Sequence, residues 1–227
     1  TAGAGYGYAL LWVVVCSAAL GTLSQYLAAR LGLLTERGIV SVVETHLGSI
    51  WAWLLVLDVL LVAGVAQLVI LKGLAQVTAD LTGIGAVPLG IGWAFVLAIG
   101  LAGGGYRAAE LGAKVVVGAV VLAFVASVFV VPLDGAAAAG GLVPRFPVGS
   151  TLVVAGILGG AVHVTLITMH SYAMRARGWT RANRDVATAD VVGSMGVAFG
   201  LYSVAVFLVA ASVLSDPAIG RLGAAHA

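Results

Sequence analysis

The sequence predicts an all-α, polytopic membrane protein with six spans, and three observations carry that prediction. Of the 227 residues, 62% are hydrophobic and only 9% are charged, where a soluble domain carries about 25% charged residues. The mean hydropathy is +1.15. Apolar runs of the length that crosses a bilayer, about 20 residues of helix, recur at roughly 7–29, 50–73, 86–104, 110–132, 151–174 and 190–214. A helix satisfies its own backbone polar groups in lipid, so each run reads as a helix.

The first run contains Cys16, the single cysteine. It can form no internal disulfide and reads as a small buried hydrophobe. The segment GAGYG at Gly3 to Gly7 has glycine-rich spacing, but it precedes a span instead of following a strand, so it is not a nucleotide loop. Thr35 to Gly38 close the first span. The second holds Asp58, an intramembrane acid and so a functional candidate, beside a structural reading because it lies about two turns from the span's end. Glu36, Glu44, Asp134, Asp185 and Asp216 fall in loops, and Asp80 and Glu110 near span ends, where water solvates them. Thr82-Gly83, Gly103 to Gly105, the stretch 134–149 with Pro144 and Pro147, and the stretch 178–185 separate the later spans. None is long enough to link domains, so residues 1–227 are expected to form a single transmembrane domain. The chain opens on Thr1 with no signal pattern, and is expected to be a fragment of a longer protein.

Basic residues set the expected orientation. One side collects Arg30, Arg37, Arg107, Lys114, Arg175, Arg177, Arg181 and Arg184; the other has Lys72, Arg145 and Arg221. The first side is therefore cytoplasmic, in a multi-pass protein of the plasma (inner) membrane. A net charge of +2 spread over loops leaves no footprint for nucleic acid. No Ser/His/Asp set, paired carboxylates or phosphate loop stands out, so neither an enzyme nor a bound cofactor is expected.

The fifth run carries the candidate site. Gly156, Gly159 and Gly160 each weaken a helix by about 1 kcal/mol, which predicts a break near Gly160. His163, Thr165, Thr168 and His170 come directly after it, and polar side chains at membrane depth line protein or water. Unwound carbonyls in such a cavity can bind a cation. His163 then reads as a cation ligand facing the interior, with a satisfied packing histidine as the plainer reading, and His170 as a structural or gating group. The alternative is a structural or haem-carrying membrane subunit, since His163 and His170 are seven residues apart and share a face of a continuous helix. That alternative needs the helix unbroken over 151–174.

The opening TAGAGYGYALLW, continued by SQYLAARLGLLT, resembles the end of the first helix and the second helix of the natural resistance-associated macrophage protein (Nramp) family of divalent-metal transporters. Leu158-Gly159, Val162, His170-Ser171 and Arg177 match that family's sixth helix. Tyr106 to Glu110 resembles the start of its fifth, and Asp190 falls where its seventh opens on an acid. The resemblance spans helices two to seven of about eleven. It implies the inverted-repeat fold of amino-acid transporters, with a divalent metal as transported substrate held by alternating access between broken helices one and six. By position, Gly160 would supply a carbonyl ligand, His163 would replace the family's methionine and Thr165 its neighbouring histidine. Imidazole suits manganese, iron or zinc, while a hydroxyl is a hard donor. The family's helix-three acids, part of its proton route, become Gly64 and Gln67. This loss is similar to that in the Nramp-related, proton-independent magnesium transporters, whereas the imidazole of His163 is an unusual magnesium ligand, so both branches stay open. Besides the metal and the lipid bilayer, the partners implied are the missing parts of the same transporter.

Overall fold

The computed structural model describes residues 2–102 and 106–215. Gly103 to Gly105, Asp216, Arg221 and His226 lie outside them. All regular structure among the described residues is helical. A short helix α1 (Ala2–Tyr6) and a 3-10 turn (Gly7–Leu10) lead into α2 (Leu11–Thr35), then α3 (Ile39–Leu47), α4 (Ser49–Thr82), α5 (Ala86–Ala102) and α6 (Tyr106–Val130). A one-turn α7 (Gly135–Gly140) precedes α8 (Thr151–Ala161) and α9 (Val164–Ala176). The last run comprises α10 (Arg184–Val191), a π-helical segment (Val192–Phe199) and α11 (Gly200–Val213).

Among the described residues, four helical runs are long and apolar enough to cross a membrane: Ala2–Thr35, Ser49–Thr82, Thr151–Met174 and Arg181–Val213. The third and fourth expected spans form helices whose apolar stretches, Ala86–Gly100 and Val115–Val130, are shorter. Helix α4 overruns its expected end at residue 73, with Lys72 and Gly73 exposed mid-helix, and stops instead at Gly83, which takes the left-handed conformation (φ 74°) that caps a helix.

The molecule is built around α2. Its buried face, Ser17, Gly21, Gln25, Ala28 and Gly32, repeats every three to four residues, as one side of a helix must. Gly21 lies against Ala161 at the end of α8, where a Cβ would come 3.0 Å from its carbonyl oxygen, and Gly32 lies against the backbone of Ser171 in α9. Numbering rises together in both contacts, so α2 runs parallel to α8 and α9. On its other flank Ala18 meets Gly200 and Thr22 meets Gly196, so the α10–α11 run is antiparallel to it. Small residues at such crossings let backbones approach where lipid offers no hydrophobic drive between helices.

Two apolar clusters close the ends of this assembly. Leu10, Leu11, Val13 and Val14 pack with Val154 and Phe207 at one end; Ala29 and Leu33 pack with Met174, Ala187 and Val191 at the arginine-rich end. At the first end, residues from the α7–α8 connection bind the start of α2: Trp12 donates its backbone N–H to Gly141 (2.9 Å) and its indole N–H to Arg145 (3.1 Å). At the second, Arg181 donates twice to the carbonyl of Leu34 (2.7 and 3.2 Å), covering an otherwise open acceptor in the last turn of α2. Between the clusters, the buried face of α2 is left to small and polar residues.

Candidate cation site

The helix predicted to break does break, two residues later than the glycines suggest. Helix α8 continues through Gly156, Gly159 and Gly160 to Ala161, and the chain leaves helical geometry at Val162 (φ −99°, ψ 59°) before restarting at Val164. A helical glycine costs about 1 kcal/mol, which neighbouring turns absorb. Beyond Ala161 come Val162, His163, Val164 and Thr165, of which three are β-branched and stiff at χ1. The helix ends where its last carbonyl is pressed against Gly21 and this run begins. The continuous helix required by the structural or haem-carrying alternative is therefore not found.

The break frees backbone groups. The Val162 N–H closes the last turn of α8 on Leu158 (3.2 Å), and Ile167 opens α9 by donating to the His163 carbonyl (3.1 Å). An α-helix leaves its last four carbonyls without intrahelical donors, and here these include Gly160. Gly160 is exposed, with open space where a side chain would be, and borders a cavity of about 500 Å³ that also touches Ser17, Tyr202 and Ser203.

Side chains beside the break are buried without partners. His163 Nδ1, Thr165 Oγ1 and Thr168 Oγ1 are shielded from solvent and make no hydrogen bond. Both polar atoms of Gln25 are in the same condition, and Gln25 is fully buried. Gln25 shares a face with Gly21 and Gly32, and the parallel register that sets those against Ala161 and Ser171 brings it level with Thr165. An unpartnered buried amide or hydroxyl costs about 1–3 kcal/mol, so His163, Thr165 and Thr168, spread over the break and the first turn and a half of α9, form with Gln25 a local polar deficit. Gln25 escapes the glycine and histidine signals, yet it is a polar amide in the middle of an apolar span, the same feature that draws attention to His163.

The remaining candidates lie apart. His170 Nδ1 is 3.1 Å from the Leu166 carbonyl of its own helix. Asp58 and Gln67 sit on α4 with exposed side chains and no hydrogen bond to another described residue. Among the described residues, no three His, Cys, Asp or Glu side chains gather to hold a metal. The donors this chain offers at the break are thus an imidazole, hydroxyls, an amide and open carbonyls.

Comparison with known proteins gives the same direction. The divalent metal cation transporter MntH of Deinococcus radiodurans is 29% identical over 232 residues, covering 97% of this chain and 52% of its own length. MntH of Verminephrobacter eiseniae is 29% identical (99% of this chain, 54% of its own) and MntH of Chromohalobacter salexigens 31% identical (99% and 54%). The chain spans about half the length of the curated relatives it matches. The family model described as natural resistance-associated macrophage protein-like matches residues 1–227, and with its broken helix and membrane-length spans the chain belongs to the Nramp family of integral membrane proteins.

Proposed function

We propose that this chain is part of a divalent metal-cation transporter and holds its cargo at the interruption between α8 and α9. The observation that carries the reading is the set of unpartnered groups at and just after the break, His163, Thr165 and Thr168, with Gln25 on the facing α2, beside open carbonyls that include Gly160. Its relatives named as divalent metal cation transporters support it. Gly160 acts through its carbonyl, His163 through an imidazole nitrogen and Thr165 through its hydroxyl. Gln25 completes the polar wall from α2. His170, Asp58 and Gln67 are accessory.

In this reading the six apolar runs form one transmembrane domain of the plasma membrane, with the arginine-rich end cytoplasmic. Further ligands come from other helices of the same transporter, and the metal crosses by alternating access around the broken helix. The cargo is manganese, iron or magnesium, and no resident cofactor takes part.

The test is uptake in liposomes by the transporter that contains this chain. Saturable manganese uptake is expected, falling at least about tenfold in the Gln25→Leu/His163→Ala variant, the lower bound for losing a group that holds a metal. Absence of saturable uptake for all of manganese, iron and magnesium overturns the proposal, as does full uptake in the folded double variant.

A further inference from the structure

A second site lies on the outer face of α2, away from the break. Helix α2 and the α10–α11 run enclose a groove of about 780 Å³, with Val15 and Val204 towards one end and Tyr26 and Thr188 at the other. Its floor is tight, because Gly196 and Gly200 sit against Thr22 and Ala18. Its walls are apolar and open: Val15, Leu23, Val197 and Leu201 are 43–60% exposed. From Val15 to Tyr26 the groove runs along about 16 Å of helix, close to half of the roughly 30 Å hydrocarbon core and so the depth of one leaflet.

The arginine-rich end of this groove is specific. Tyr26 and Thr188 also border a small recess between α2 and α10 that is lined by Arg30 and Arg184. Each arginine stands four residues, one helical turn, beyond the groove's last residue on its own helix. The other arginines at this end whose side chains are described are engaged. Arg177 pairs with Asp190 at 2.7 Å, Arg181 donates to Leu34, and Arg37 reaches Thr45 at 3.4 Å. Arg30 and Arg184 make no ion pair or hydrogen bond among the described residues, and the acids nearest to them in sequence, Glu36 and Asp185, pair with neither. The recess itself holds about 10 Å³, room for about one water. Only its mouth, against the exposed guanidiniums, has room for an anion.

We propose that this groove seats one anionic glycerophospholipid, its acyl chain along α2 and α11 and its phosphate between Arg30 and Arg184. Two unneutralised guanidiniums at headgroup level, directly below an apolar channel one leaflet deep, match a phosphate joined to a hydrocarbon chain. A zwitterionic lipid would bring its own cation against that arginine-rich end, so the charge pattern selects a net-negative headgroup. The proposal needs only that the chain spans a membrane and is independent of what it transports.

Native mass spectrometry of the purified protein with dioleoyl phosphatidylglycerol, dioleoyl phosphatidylcholine or inorganic phosphate tests it. Wild type should retain one phosphatidylglycerol at least about fivefold more tightly than phosphatidylcholine, given the attraction of each arginine for anionic lipid. R30Q/R184Q should lose that preference and R30K/R184K should keep most of it. Val197→Trp, which fills the groove and leaves both arginines in place, should weaken retention of both lipids. Equal retention of the two lipids by wild type, or an unchanged preference in R30Q/R184Q, overturns the proposal. Displacement of the lipid by millimolar phosphate would reduce the site to a bare anion site and also overturns it. So would exclusion of every lipid, the result expected if another helix of the transporter covers this face.

Discussion

Hydroxyl side chains in the membrane runs differ in where their protons go. Thr22, Thr78, Thr188, Ser127 and Ser194 donate to carbonyls four residues back at 2.6–2.8 Å, which hides the hydroxyl inside its own helix. Thr165 and Thr168 do not. For Thr165 the acceptor four residues back is Ala161, on the far side of the break, so the interruption that opens the carbonyls also frees the hydroxyl. His163→Ala should lower manganese uptake by at least about tenfold and magnesium uptake by less, since imidazole favours the softer ion. Equal losses, measured as initial rates in liposomes, would assign His163 to packing. Thr165→Val keeps the shape and removes the hydroxyl, and is expected to lower uptake of both ions by similar factors in the same assay.

At the scale of the element, α2 is held by shape more than by apolar bulk. A Cβ on Gly32 would lie 2.5 Å from the Ser171 carbonyl oxygen, a backbone atom with little freedom to move. Gly32→Ala should therefore destabilise the protein by about 1–3 kcal/mol, the usual range for overpacking, seen as a lower unfolding temperature in detergent. Gly64→Ala is the control, since nothing lies within 4 Å of its would-be Cβ. Hydropathy made the helical class and most element positions legible because it reports what each stretch meets on all sides. The break was legible as an event and misplaced by two residues: glycine count signals a weak helix, whereas its end is set by the contact of Ala161 with Gly21, 140 positions earlier in the chain. Gln25 went unread for the same reason. Its burial depends on the parallel register of α2 with α8 and α9, which no local pattern encodes.

For the whole molecule, the distribution of titratable groups bears on energy coupling. Gly64 and Gln67 occupy the exposed middle of α4 and neither can bind and release a proton there. Asp58, on the same helix, lies nine residues from Gln67, about 13 Å along the axis and too far for direct transfer. Metal uptake is accordingly expected to run down its own gradient and the membrane potential without proton entry. A pH dye trapped in liposomes checks this, and metal-dependent acidification of the lumen would count against it.

Ser171 gives the broken helix unequal halves. Its hydroxyl donates to Thr168 within α9 at 2.7 Å and accepts the first N–H of α3, from Ile39, at 3.1 Å, while its backbone seats Gly32 of α2. Gly38 just before α3 has the Tyr172 ring where a side chain would be, so α3 takes its cap from α9 and not from its own chain. Ser171 and Tyr172 thus tie α9 to both α2 and α3, whereas α8 packs on α2 and α11 without reaching α3, so α8 is expected to carry whatever movement the break allows. Spin labels on α2 and α9 should hold one separation whether or not metal is present, whereas a pair on α2 and α8 should report two.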